Sequence, residues 1–150
     1  MGLFKVKSMG YKKCIISLID DFTKYMEVHF LFKKSDASYV FQTFCEKIKI
    51  QIDRYYQSFC SDQGGKHINA ELTKYFETKG IQYLIITIYS PESNTIAEHF
   101  NQTLVNIVQP SLDYVPISLW AEVFNWACYL KNRLLYSVLI DRTPYEILSG

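Results

Sequence analysis

Hydrophobic and polar residues alternate in the first part of the chain. Residues 12–20 form a short apolar run behind two lysines, and in residues 25–32 Met26, Val28 and Phe30 alternate with Tyr, Glu and His. A period of two is typical of strands. Because residues 21–24 leave room only for a tight turn, the pattern predicts an antiparallel pair.

Apolar residues then recur at three- and four-residue intervals, which is the spacing of a helix. One helix is predicted from Ser35 or Asp36, either of which can cap it, to about residue 52. A second helix is predicted from Asn69, its cap, to Gly80, its stop.

Two more strands are predicted around this second helix. The first covers residues 55–60, and the second covers residues 81–88, which are almost continuously apolar. A continuous apolar run is expected of a strand that is covered on both faces.

The last part of the chain is predicted to be helical. One helix covers residues 94–108 and ends before Pro110, another covers 118–134, and the tail 141–150 is a short helix or coil. The order of elements is β-β-α-β-α-β-α-α. It predicts an α/β chain with a mixed sheet flanked by helices.

Composition and charge restrict the class of protein. The 150 residues are enough for one domain, residues 1–150, with a substantial core. The formal net charge of +1 argues against a strongly basic DNA-binding domain. Twelve tyrosines and ten phenylalanines either fill a large apolar core or serve as platforms for bases.

The cysteines and the apolar runs indicate the cellular compartment of the chain. Cys14, Cys45, Cys60 and Cys128 form no C-x-x-C pair, so structural zinc is not expected, and each lies in an apolar segment typical of buried thiols. No apolar run approaches ~18 residues, and the N-terminus lacks a signal-peptide layout. We therefore expect an intracellular chain with no membrane partner.

Two carboxylates stand at positions where chemistry is common. Asp62 follows the strand predicted at 55–60 and precedes two glycines, and Glu98 lies in the first turn of the long helix, opposite its apolar stripe. Sites in α/β sheets gather at the carboxyl ends of strands, and oxygen ligands suit Mg²⁺. The alternative is that Asp62 is only a turn residue and Glu98 only a partner of the helix dipole.

The motifs around these two acids resemble the integrase cores of copia-type retrotransposons, within the retroviral integrase superfamily. Asp62 is followed by Gln-Gly-Gly, and Glu98 closes the segment YSPESNTIAE. Other matching segments are IDDFTKY (19–25), LWAE (119–122), YLKNR (129–133) and TPYE (143–146).

The resemblance implies a ribonuclease H-like fold and an Asp, Asp, Glu triad that holds two Mg²⁺ or Mn²⁺ ions. The enzymes of this family trim the ends of element DNA and join them to target DNA. Asp62 matches the second acid and Glu98 the third, while Asn94, His99 and Gln102 match positions near the DNA. The resemblance also implies DNA as the partner, a possible homodimer, and a location in the nucleus or in cytoplasmic element particles.

The chain departs from the family pattern at several positions. Set against the family pattern, we expect the first strand and its Asp to be absent ahead of residue 5, and Asp20 and Asp21 fall at the predicted hairpin turn instead. Asn94-Thr95 replaces the family's Asn-Gly, and Gln102 replaces an Arg that would approach phosphate. We therefore expect weak or no strand transfer from the isolated chain. The alternative hypothesis is a non-catalytic remnant or a co-opted nucleic-acid-binding or interaction domain.

Overall fold

The computed structural model describes residues 2–52, 57–61, 70–85, 91–136 and 138–150. The elements in chain order are β1 (Gly2–Leu3), β2 (Cys14–Ile19), β3 (Met26–Leu31), α1 (Ala37–Ile52), β4 (Ser58–Ser61), α2 (Ala70–Lys79), β5 (Gln82–Ile85), α3 (Pro91–Leu112), α4 (Trp120–Lys131) and α5 (Pro144–Ser149). Short 3₁₀ turns at Lys34–Asp36 and Ile117–Leu119 precede α1 and α4.

The chain divides into two compact units. The first consists of Met1–Lys33 together with Phe100–Gly150, and the second is the continuous stretch Lys34–His99. The division falls inside α3, between His99 and Phe100. The prediction of a single domain over 1–150 stays a prediction.

The sheet of the first unit contains the predicted hairpin. Strands β2 and β3 pair antiparallel, from Cys14 opposite Leu31 to Ile19 opposite Met26. Strand β1 pairs antiparallel with the other edge of β2, so the strand order is β1-β2-β3. A short strand therefore does precede β2, against the expectation that the strand ahead of residue 5 is absent. The sequence pattern does not predict β1, because two residues are too few to show a period.

The turn between β2 and β3 is held by Asp20. Its Oδ2 accepts hydrogen bonds from the backbone N–H of Thr23 at 2.7 Å and from the Thr23 hydroxyl at 2.6 Å. Both residues are buried, and the carboxylate therefore replaces water for two donors that the turn would otherwise leave unpaired.

Helix α4 covers the sheet of the first unit and is shorter than the predicted 118–134. Trp120, at its start, is fully buried, and its ring stacks on Phe4 with centroids 3.9 Å apart. The chain leaves α4 at Asn132, whose buried side chain forms hydrogen bonds with the backbone of Met26 in β3.

The tail predicted as a short helix or coil forms α5, which begins with a capping box between Thr143 and Glu146.

The second unit has a parallel strand pair and two helices. Strands β4 and β5 pair in register from Ser58 opposite Gln82 to Ser61 opposite Ile85. The rings of Phe41, Phe59 and Phe76 contact one another between these strands and the helices, with the closest centroids 4.2 Å apart. The boundary predicted at Gly80 is confirmed, since this residue has φ +67° directly after α2.

The long helix α3 differs from the prediction at both ends. It begins at Pro91 rather than at residue 94 and runs to Leu112, through Pro110. Proline is favoured at the first position of a helix, where its missing N–H costs nothing, so Pro91 starts the helix instead of marking a loop.

Among the described residues, none of the helices combines the length and the apolar character that a membrane span requires.

Candidate metal and nucleic-acid site

Helix α3 presents Glu98 to solvent. Its buried stripe consists of Phe100, Leu104 and Val108, which recur at four-residue intervals. Glu98 and His99 precede the stripe and are both exposed. The exposure that the helical spacing predicts for Glu98 is therefore observed, whereas its predicted place in the first turn is wrong, because α3 begins at Pro91.

Asp62 lies outside the described residues, so the distance between its carboxylate and that of Glu98 is not part of the structure. The preceding residue, Ser61, is the last of β4 and pairs with Ile85, the last of β5. Both strands of this parallel pair thus end at the same edge, where loops carry the ligands in α/β sheets. The metal-binding role of Asp62 stays a prediction.

The residues predicted to lie near DNA are found in α3. Asn94 lies inside the helix, and its side chain is outside the described part of the structure. Gln102 is exposed, and its Nε2 donates a hydrogen bond of 2.9 Å to Oδ1 of Asn106, one turn later. This amide carries no charge, so it cannot supply the electrostatic attraction that an Arg would give a phosphate.

The two acids at the hairpin, Asp20 and Asp21, form contacts within the turn between β2 and β3. Asp20 is buried and engaged by Thr23, while Asp21 forms an ion pair with Lys24. Over the described stretches, no group of three or more His, Cys, Asp or Glu side chains could hold a metal ion. The exposed Glu98 carboxylate offers the hard oxygen ligand that Mg²⁺ accepts.

Two cations near the end of α4 pack against aromatic rings. The Lys131 ammonium lies 5.4 Å from the Phe100 ring centroid and 5.0 Å from that of Tyr136, and burial lowers its pKa. The Arg133 guanidinium lies between Tyr129 and Tyr145, 3.6 and 4.1 Å from their ring centroids. Such contacts stabilise a fold. They also leave these two cations less available to a phosphate than cations surrounded by water at a helix end.

The cysteines do not form disulfides, and Cys60 departs from the prediction of buried thiols because it is exposed. Burial raises the pKa of Cys45 and of Cys128 to about 12. Only the thiolate reacts as a nucleophile, so these two thiols should be unreactive near neutral pH.

We expect a disulfide reagent such as Ellman's reagent to label one thiol, that of Cys60, rapidly in the native protein at pH 8. All four thiols should react in denaturant, because unfolding exposes the buried Cys14, Cys45 and Cys128 to the reagent. A Cys60→Ser variant is the control and should lose the fast phase. Rapid labelling of two or more thiols in the native protein would contradict the burial of the others.

Comparison with known proteins identifies relatives for this chain. No protein-family model matches it. It is 32% identical over 134 residues to the Retrovirus-related Pol polyprotein from transposon TNT 1-94 of Nicotiana tabacum, a match that covers 88% of this chain and 10% of that protein. It is 29% identical over 143 residues to the polyprotein from transposon RE1 of Arabidopsis thaliana, covering 94% of the chain and 10% of the relative. The chain thus spans about a tenth of the length of the curated relatives that it matches.

Two solved structures share its fold. The integrase catalytic core domain of HTLV-2, determined in complex with magnesium in a trimeric form, superposes with a TM-score of 0.66 at 17% identity, covering 95% of this chain and 89% of that one. The intasome of simian T-cell lymphotropic virus, in complex with the PP2A regulatory subunit B56 gamma, superposes with a TM-score of 0.70 at 14% identity. The match covers 91% of this chain and 48% of that one. The resemblance predicted from the motifs is confirmed: the homologues are copia-type retrotransposon Pol polyproteins, and the fold is the ribonuclease H-like fold of retroviral integrase cores.

Proposed function

We propose that this homologue of copia-type Pol polyproteins is an integrase core whose chemistry is metal-dependent phosphoryl transfer on DNA, comprising end processing and strand transfer. The observation that carries the proposal is Glu98, a carboxylate that α3 exposes opposite its buried stripe, in a chain with the fold of integrase catalytic cores.

The proposed roles follow from the side chains. Asp62 and Glu98 would hold Mg²⁺ or Mn²⁺, and the bound ion would supply activation of a water or hydroxyl and stabilisation of the leaving oxygen. Asn94, His99 and Gln102 lie along the same end of α3 and contact the DNA. Element ends and target DNA are the proposed substrates.

The charge of the chain indicates a weak activity. Its formal net charge is +1, and Gln102 is a neutral amide bonded to Asn106, so the chain as a whole has little excess positive charge to neutralise phosphates. Two carboxylates alone also hold Mg²⁺ less tightly than three. We expect the isolated 150-residue chain to bind Mn²⁺ weakly and to join DNA ends poorly.

The test is a comparison of Asp62→Asn and Glu98→Gln with the wild-type chain. Each substitution removes a negative ligand without changing the size of the side chain. We expect Mn²⁺ affinity, measured by titration calorimetry, to fall at least about tenfold, since even partners outside the ligand shell are worth 10–100-fold. Any residual Mn²⁺-dependent joining of a labelled DNA end should disappear.

The matched control is Glu71→Gln, which removes an exposed carboxylate from the first turn of α2. It should leave Mn²⁺ affinity unchanged. Unchanged affinity in Asp62→Asn and Glu98→Gln would show that both acids are structural. Robust joining by the wild-type chain would instead refute the expected weakness while keeping the proposed chemistry.

One observation favours a second candidate function, an interaction domain without catalysis. An apolar groove of about 380 Å³ lies between the end of α3 and α4, and Trp126, which lines it, is 52% exposed. Exposed aromatic surface is common where proteins associate. A dimer detected by sedimentation, together with unchanged Mn²⁺ affinity in the two acid variants, would support this function over the first.

A further inference from the structure

Five lysines gather at one edge of the first unit. Three extended segments lie side by side there, because the N–H of Phe4 donates to the Lys13 carbonyl at 2.9 Å and the N–H of Lys13 donates to the Leu31 carbonyl at 3.2 Å. Each segment contributes lysines to what we name the basic edge: Lys5, Lys7, Lys12, Lys13 and Lys33.

The basic edge concentrates charge in a nearly neutral protein. The whole chain has 16 Lys and Arg against 15 Asp and Glu. Residues 1–19 nevertheless contain four lysines and no acid. The positive charge of this segment is thus not balanced by acids within it, unlike that of the chain as a whole, and it would attract a polyanion.

Two exposed aromatic rings lie among these lysines. Tyr11 is 71% exposed and Phe32 is 57% exposed. The Lys12 ammonium lies 3.4 Å from the centroid of the Phe32 ring, and the Lys7 ammonium lies 6.0 Å from that of Tyr11. Each of the two rings therefore lies beside the ammonium group of a lysine of the basic edge.

The backbone holds Tyr11 outward at a cost. Its φ is +60°, a left-handed conformation that non-glycine residues rarely adopt. Ser8 fixes this turn, since its carbonyl accepts the Tyr11 N–H at 2.8 Å and its hydroxyl accepts the Lys12 N–H at 3.1 Å. An exposed ring that contributes no burial does not repay such a conformation by packing.

We propose that the basic edge binds single-stranded nucleic acid, with the lysines on the phosphates and Tyr11 and Phe32 stacked on unpaired bases. Single-strand binding surfaces combine these two elements, a positive surface and aromatic rings that accept any base. A paired duplex hides its base faces and would leave both rings unused. A membrane-binding element has separate apolar and charged faces, whereas here they are mixed.

This surface uses none of the residues assigned to the metal site, so it can be tested without divalent ions. Fluorescence anisotropy in EDTA would follow a labelled oligodeoxythymidine of about 16 nucleotides, the upper site size of single-strand binding folds. Tyr11→Asn should weaken binding about five-fold or more, the effect of losing one base–ring stack. Asn tolerates a positive φ, so the thermal stability of this variant should equal or exceed that of the wild type.

The charge contribution has its own readout. Lys12→Gln should reduce the slope of log affinity against log salt by about 0.7, the value for one phosphate contact on a single strand. Lys74→Gln, which removes an exposed lysine from α2, should leave that slope unchanged. The measurement is made in EDTA and needs no divalent ion, so a failure of the proposed phosphoryl transfer would not affect this result.

Three outcomes would overturn the proposal. Equal affinity of Tyr11→Asn and wild type would exclude stacking at this edge. Equal losses in Lys12→Gln and Lys74→Gln would show that binding follows total charge alone. Tighter binding to a blunt duplex of the same length, or to phosphatidylserine vesicles, would assign the surface to a different partner.

Discussion

Replacing Trp120 by alanine is expected to lower the free energy of unfolding by about 3–5 kcal/mol, the range for removing a buried aromatic side chain. Trp120 has 0% exposure and stacks on Phe4, with Phe30 and Phe124 in edge contact at 5.5 and 6.3 Å between centroids. Its Nε1 also donates a hydrogen bond of 3.1 Å to the Val6 carbonyl. The substitution therefore opens a cavity and removes a hydrogen bond at the same position.

Urea unfolding followed by far-UV circular dichroism measures this loss. The control is Trp126→Ala, which makes the same change in the same helix at a side chain that is 52% exposed. It should cost clearly less than Trp120→Ala, because about half of this side chain is already in solvent and less buried surface is lost. Similar midpoints for the two variants would mean that the stack around Trp120 does not hold α4 to the sheet.

The second large effect is expected from Asn132→Ala, at about 3 kcal/mol. The buried Asn132 side chain accepts the Met26 N–H at 2.9 Å and donates to the Met26 carbonyl at 2.8 Å. Its own carbonyl accepts the Tyr145 N–H at 2.9 Å. Alanine keeps this last bond but leaves the Met26 amide buried without its acceptor, and an unpaired buried group costs roughly 1–3 kcal/mol in addition to the lost packing.

Two measurements separate this effect from a general loss of helix stability. Asn106→Ala, an exposed asparagine of α3, should change the free energy of unfolding by no more than about 0.5 kcal/mol. Hydrogen exchange of the Met26 amide should accelerate more in Asn132→Ala than that of its neighbours. If both asparagine variants unfold at the same urea concentration, the side chain of Asn132 does not hold β3.

The sequence predicts those elements whose apolar residues recur over several turns or strand positions. The hairpin of β2 and β3, helices α1 and α2, and the stop at Gly80 follow from period and turn chemistry alone. Strand β1 has too few residues for a pattern. Its position depends on pairing with β2, which lies about ten residues further along the chain.

Helix α3 shows how local rules give way to context. Proline removes an N–H and crowds the carbonyl four residues earlier, so Pro110 predicts an end at about residue 108. The helix continues to Leu112 instead, and the Ser111 hydroxyl donates to the Ile107 carbonyl at 2.9 Å. The buried stripe that includes Leu104 and Val108 favours this continuation, because packing of an apolar face contributes more to a helix than local propensity.

In the candidate site, too, some features could be predicted from the local sequence and others could not. The exposure of Glu98 follows from the helical spacing of its own neighbours, so it could be predicted. The surroundings of Arg133 could not, because Tyr145 reaches its guanidinium only once α5 folds back. The pair of Lys12 and Phe32 likewise joins a residue ahead of β2 to a residue after β3, and the pattern of either segment alone gives no sign of it.

The discontinuity of the first unit has a consequence for biosynthesis. The second unit is continuous over Lys34–His99. In the first unit, by contrast, the hydrogen bond between Met26 and Asn132 joins residues that are 106 positions apart. On a ribosome that adds roughly 5–20 residues per second, the hairpin would wait on the order of 5–20 s for α4. During that time its apolar face is uncovered and open to aggregation, so the nascent chain should depend on chaperones most strongly just before residue 132 emerges.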